Sequence, residues 1–266
     1  SDLTLNESVE LMRGEKGKAV KLTISREGVE PFEVTVVRDI IKIQSVKHEV
    51  YNDIGYLRIT SFTEQTEEGL LKSINAIQKE NEEINGYVLD LRSNPGGLLN
   101  QAVKVTDIFL KRGEIVSRRG RETKDIRRYR AKNKDLTNGK PIVVIINGGS
   151  ASASEIVAGA LQDHRRAIVI GTQSFGKGSV QTIIPFQRSN SDNISGIRLT
   201  TARYYTPSGE SIQGKGITPD IVIEQGEFES FDFKRYSESD LKDSLDKEDN
   251  NSNNKEEDRK STRLNS

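Results

Sequence analysis

Three short stretches of this chain carry groups suited to chemistry: "LDLRSNPGGLL" (89–99), "GGSASASEI" (148–156) and "GTQSFGKGSVQ" (171–181). In the first, Pro95-Gly96-Gly97 follows an apolar run and precedes a helical one, which leaves bare backbone N–H groups at a strand end. Such amides serve equally as a tight turn needing positive φ or as donors to a developing oxyanion. In the second, Ser152 and Glu155 have the spacing of a capping box. A serine at a helix N-terminus also sits where the helix dipole favours negative charge, so Ser152 reads both as a cap and as a nucleophile. Ser150 and Ser154 flank it, and the residues alone do not choose among the three.

The third stretch poses the question of Lys177. Gly171, Gly176 and Lys177 fit the first seven positions of a phosphate-binding G-x-x-x-x-G-K loop. The eighth should be a hydroxyl residue, and it is Gly178; the loop should also open a helix, whereas "GSVQTIIPF" reads as a strand. A serine nucleophile needs a base. His48 lies in a polar stretch and His164 at a surface turn, and both read as structural or solvated. Lysine is an alternative partner for serine. Its amine must lose about three units from an ordinary pKa near 10.4, which desolvation among apolar strands achieves. Lys177 has uncharged sequence neighbours and apolar runs on either side, so it is assigned as a general base. Gln181 is placed to hold the amine without restoring charge.

The elements that must position these groups follow from periodicity. Residues 5–13 form an amphipathic helix with Asn6 as N-cap and Gly14 as stop, and "KAVKLTISREG" with "EPFEVTVVRD" makes a hairpin. From Tyr51 onward, strands at 54–62, 86–92, 141–147 and 167–171 alternate with helices opening at Thr63, at 99–111 and after "GGSAS". This alternation predicts an α/β fold with a mixed, partly parallel sheet, its strand at 141–147 covered on both faces. Polar strands around 114–130, a strand with a Pro-Ser-Gly turn over 197–212 and "TPDIVIE" complete it. From Gly226 the composition turns to Asp, Glu, Lys, Ser and Asn, and residues 226–266 are expected to be disordered.

Composition narrows the function. The 40 Lys and Arg balance 40 Asp and Glu, which gives no support for a nucleic-acid partner; the basic cluster Arg118 to Arg130 reads as a solvated surface. No cysteine is present, which excludes thiol nucleophiles and thiolate metal sites. No apolar run approaches the roughly 18 residues of a membrane span. The opening "SDLTLNESVEL" has neither an initiator Met nor a leader and reads as the start of a fragment.

Together, "LDLRSNPGGLL", "GSASASEIVAGALQD", "GTQSFGKGSVQ" and "LTTARYYTPSGESIQGKGITPD" resemble the carboxy-terminal processing, or tail-specific, serine peptidases of bacteria and plastids, over residues 4–224. The resemblance implies a ClpP/crotonase-like peptidase core (44–225) with a Ser/Lys dyad on Ser152 and Lys177. It also implies Gln181 as the residue orienting the lysine, and oxyanion amides at Ala153 and Gly97, with Gly96 the alternative. Asp163 matches a supporting aspartate. Residues 1–43 look like the end of a PDZ domain whose earlier strands are missing. The implied activity is endoproteolysis of extended or unfolded polypeptides, directed by the substrate's C-terminal region, with no metal or cofactor. The implied setting is the periplasm or cell envelope, with homo-oligomerisation and membrane association through an absent N-terminal segment as further expectations. A crotonase-like acyl-transfer enzyme and a non-catalytic peptide-binding module are the rival readings.

Overall fold

The computed structural model describes residues 3–39, 44–132, 135–185, 196–224, 237–241 and 244–245. The chain divides into two compact units, Ser1–Ile43 and Gln44–Ser266. The first contains helix α1 (Leu5–Met12) and the antiparallel pair β1 (Ala19–Arg26) and β2 (Val29–Val37). Its cap is Thr4 rather than Asn6: the Thr4 hydroxyl accepts from the Glu7 N–H while Glu7 reaches back to the Thr4 N–H at 2.8 Å, so the box closes two residues earlier than expected. The Arg38 guanidinium ties this helix to the hairpin by donating to the carbonyls of Leu11, Met12 and Ala19. No described residue of this unit is buried, as expected of a helix and two strands too small for a core of their own.

The second unit is layered. A six-stranded sheet has the order β12 (Ile221–Val222), β9 (Ile168–Gly171), β8 (Ile142–Ile146), β5 (Gly86–Asp90), β4 (Ile54–Ile59), β3 (Val46–Tyr51). All neighbours are parallel except β3, which pairs antiparallel with β4 through a tight turn. Helices α2 (Thr66–Glu80), α3 (Leu99–Phe109) and α4 (Ala153–Asp163) pack side by side on this sheet. A second, antiparallel sheet of order β10 (Ser179–Pro185), β11 (Gly196–Tyr205), β6 (Glu114–Arg119), β7 (Ile126–Arg130) meets the other side of α3 and α4. Helix α4 thus lies between two sheets, which accounts for nine consecutive buried residues, Ala153–Leu161.

Three expectations change here. Helix α2 begins at Thr66, not Thr63, because the Thr66 hydroxyl accepts from the Thr63 N–H and holds residues 63–66 as a turn. Strand β8 is covered on one face only: Ile142, Val144 and Ile146 are buried under the helices, while Val143 and Ile145 on the opposite face are half-buried. Most of the stretch expected to be disordered lies outside the described residues. Ser237–Leu241 departs from that expectation, since the Glu238 N–H donates to the Phe175 carbonyl and the Gln213 amide donates to the Glu238 carboxylate.

Candidate active site

The turn between β8 and α4 holds the three serines, and the structure separates them. Ser150 and Ser154 are fully buried and their hydroxyls are spent, one on the Leu91 carbonyl at 2.8 Å and the other on the Asn94 carbonyl at 2.9 Å. Ser152 is half-buried and has a backbone of φ 55°, ψ −109°. That conformation is costly for a residue with a Cβ and concentrates at functional sites. It arises on a sharp strand-to-helix turn, the geometry that lifts a nucleophile clear of its surroundings in the α/β-hydrolases. The capping box forms in outline, but only its Glu155 half closes with a short bond, and the Ser152 side chain makes no capping bond of ordinary geometry.

Glu155 does more than cap. It is fully buried, and its two oxygens accept four hydrogen bonds: Oε1 from the Ser174 hydroxyl (2.6 Å) and the Gly176 N–H (2.6 Å), Oε2 from the Ser152 N–H (2.7 Å) and the Lys177 N–H (2.9 Å). Because one oxygen receives both the Ser152 and the Lys177 amide, those two nitrogens lie no farther apart than 5.6 Å, the two bonds laid end to end. Burial pushes the Glu155 carboxyl up to about 7, against the four hydrogen bonds that hold it down. The uncharged neighbourhood expected for Lys177 from its sequence thus contains a carboxyl group contributed by α4.

Lys177 is half-buried in the loop between β9 and β10. Its flanking glycines serve close backbone approach, not a phosphate. A Cβ at Gly178 would lie 2.4 Å from the Gln213 nitrogen, and one at Gly176, whose φ is +94°, would meet the Gly216 nitrogen at 3.1 Å. The segment "SIQGKGI" (211–217) runs alongside, with Gly214 N–H bonded to the Gly176 carbonyl and the buried Gln213 accepting from the Gly178 N–H at 3.1 Å.

The glycine turn after β5 packs directly on the serine turn. A Cβ at Gly96 would stand 2.7 Å from the Ala151 oxygen, 2.8 Å from the Ser152 Cβ and 2.9 Å from the Ala153 nitrogen. Asn94, fully buried, clamps the junction. Its carbonyl accepts from the Ala151 N–H and the Ser154 hydroxyl, its side-chain amide donates to the Ile59 carbonyl, and its Oδ1 accepts from the Gly96 N–H at 2.9 Å. The Gly96 amide is therefore committed. The Gly97 amide is not: the short parallel bridge to Phe62 uses the flanking Gly96 carbonyl and Leu98 N–H, and no described residue accepts from Gly97 N–H. Ala153 opens α4, where the first amides have no partner inside the helix.

Two other expected residues stand apart. Gln181 is exposed at the bulge in β10, paired in register with Thr200, and no hydrogen bond joins it to Lys177 among the described residues. Asp163 ends α4, roughly 16 Å from Ser152 at 1.5 Å per residue, and accepts from the Ser208 N–H at 2.8 Å, pinning the Thr206–Gly209 turn. His164 caps nothing catalytic: its Nε2 meets the Glu114 carbonyl at 2.6 Å. Asn94, Ser174 and Gln213 were not legible as site residues, and Glu155 was legible only through its capping-box spacing.

This layered α/β scaffold, with a glycine turn and a serine turn abutting at the ends of parallel strands, is the fold of C-terminal processing peptidases. Among solved structures it matches a photosystem II D1 C-terminal processing protease with TM-score 0.61 and 30% identity, covering 79% of this chain and 57% of that one. The chain belongs to peptidase family S41, whose model matches residues 53–223. It is 62% identical over 228 residues to a carboxy-terminal-processing protease of Bartonella bacilliformis, covering 85% of this chain and 51% of the relative. It is 38% identical over 223 residues to the carboxy-terminal processing protease CtpA of Bacillus subtilis, covering 84% and 46%. The chain thus spans about half the length of these curated relatives.

Proposed function

We propose that residues 44–224 are the catalytic core of a serine endopeptidase that cleaves polypeptides through a Ser152/Lys177 dyad. The observation that carries this reading is the shared Glu155 oxygen, which holds the Ser152 and Lys177 backbones within 5.6 Å. The Lys177 amine takes the hydroxyl proton as Ser152 Oγ attacks the scissile carbonyl. The resulting oxyanion lies against the amides of Ala153 and Gly97. Lys177 then returns the proton to the leaving amine, and a water molecule, deprotonated in turn by Lys177, releases the acyl group and restores the serine. The committed Gly96 amide favours Gly97 as the second donor. Gln181 would orient the lysine only after a side-chain movement towards it, and Asp163 supports the fold rather than the chemistry.

The substrate in this reading is an extended polypeptide. Strand β10 starts two residues after Lys177 and is the outermost strand of its sheet, so it offers a ladder for strand addition next to the dyad. Direction by the substrate's C-terminal region, a PDZ origin for residues 1–43 and residence in the cell envelope rest on the resemblance of the sequence motifs alone. No helix among the described residues is long and apolar enough to cross a membrane. Ser152→Ala and Lys177→Ala should each abolish cleavage of a casein-type substrate while the circular dichroism spectrum stays that of the wild type. Retention of full activity by either variant would remove the dyad.

A further inference from the structure

Glu155 carries an inference that goes beyond helix capping. A capping-box glutamate closes one bond, to the N-cap N–H, at a helix end that usually faces water. Here the carboxyl is fully buried and takes three further donors from residues 174–177, a different loop 19–22 positions along the chain. No lysine or arginine is paired with it among the described residues, although burying a carboxylate without a cation costs several kcal/mol. The cost is explained by what only a carboxylate supplies. Two oxygens facing two donors each need a group that accepts on both sides, whereas a glutamine amide would present N–H groups to one pair of donors.

We infer that Glu155 is the positioning residue that fixes the register between the nucleophile turn and the lysine loop, by accepting from both sides at once. The inference rests on the dyad reading above, which assigns those two segments their roles. Glu155 touches no substrate. It acts by setting where the Ser152 and Lys177 backbones stand relative to each other. The Ser174 hydroxyl is the hinge of the same device, since it donates to Glu155 at 2.6 Å and accepts from the Ile217 N–H at 2.6 Å, linking the lysine loop to the segment beside it.

The test compares wild type with Glu155→Gln, Ser174→Ala, Ser152→Ala and Lys177→Ala, by kcat and KM on a model polypeptide, amide hydrogen exchange and thermal melting. Glu155→Gln should lower kcat by about 10²-fold, the loss that a misplacement near 1 Å brings, with KM within threefold. Exchange of the Ser152, Gly176 and Lys177 amides should quicken at least tenfold, while β8 and the C-terminal half of α4 stay protected. Ser174→Ala should give a smaller kcat loss and faster exchange at Gly176 and Lys177. A Glu155→Gln enzyme with kcat within threefold of wild type overturns the inference. Faster exchange across the whole second unit does so too, because it marks a general structural role. If Glu155→Gln does not fold, the decision falls to Ser174→Ala, and wild-type kcat with unchanged exchange there overturns the inference. An active Ser152→Ala would instead sink the dyad reading, and the exchange result on Glu155 stands or falls without it.

Discussion

At the scale of single residues, the site is a set of commitments that leave a few groups free. Ser150 and Ser154 are spent on carbonyls, and Ser152 is not. The Gly96 amide is spent on Asn94, and the Gly97 amide is not. A sequence shows which residues can donate or accept, but not which already have a partner. Accordingly, the residues alone did not separate the three serines or the two glycines, and it was the family resemblance that pointed to Ser152 and to Gly97 before their contacts were known. Gly97 also has no room for a side chain: its φ is +142°, and a Cβ there would lie 2.2 Å from the Phe62 oxygen. Gly97→Ala should displace the turn, destabilise the fold by about 1–3 kcal/mol and lower kcat by 10²-fold or more, as loss of an oxyanion donor does. Steady-state kinetics beside a thermal melt will check this, and an unchanged kcat would rule out the Gly97 amide as a donor.

At the scale of elements, periodicity placed the parallel strands β4, β5, β8, β9 and β12 and helices α3 and α4, because buried apolar runs depend little on their partners, but it missed the polar edge strand β3 (Val46–Tyr51). The boundaries that shifted did so for local reasons. Thr4 captured the cap of α1 from Asn6, and Thr66 held residues 63–66 out of α2. What stayed hidden was long-range: the three donors that reach Glu155 from 174–177, and the 211–217 segment whose backbone presses on Gly176 and Gly178. The half-buried face of β8 was also unreadable, since "PIVVIIN" is equally apolar whether one side or both are fully covered. Helix α4 separates two roles by its length, with Ser152 at its N-terminus and Asp163 at its end. Asp163→Ala removes one hydrogen bond to an exposed turn and should cost about 1 kcal/mol. Its kcat should remain within twofold of wild type, whereas a large loss of kcat at unchanged stability would give Asp163 a part in the chemistry.

At the scale of the whole molecule, the proposed site works against the stability of the fold. The Glu155 carboxyl has an ordinary value of 4.5 and is pushed up to about 7 by burial, so between these two pH values the folded protein holds a proton there that the unfolded chain has released, and the carboxylate that accepts on both oxygens is the form above pH 7. Its contribution is greatest below pH 4.5 and is lost as pH rises through about 7, a change of about 3 kcal/mol. Relative to Glu155→Gln, the wild type should therefore lose stability between pH 5 and 7.5, as read from urea midpoints at the two pH values. A difference between the two proteins that does not vary with pH would contradict the raised value. Ser152 adds a second debit through its positive φ. Glycine at that position would relax the turn, so, on the dyad reading, a heat-tolerance screen run without an activity check would enrich molecules that have shed the hydroxyl proposed to attack. For this chain, hardiness and competence pull in opposite directions at a single α-carbon.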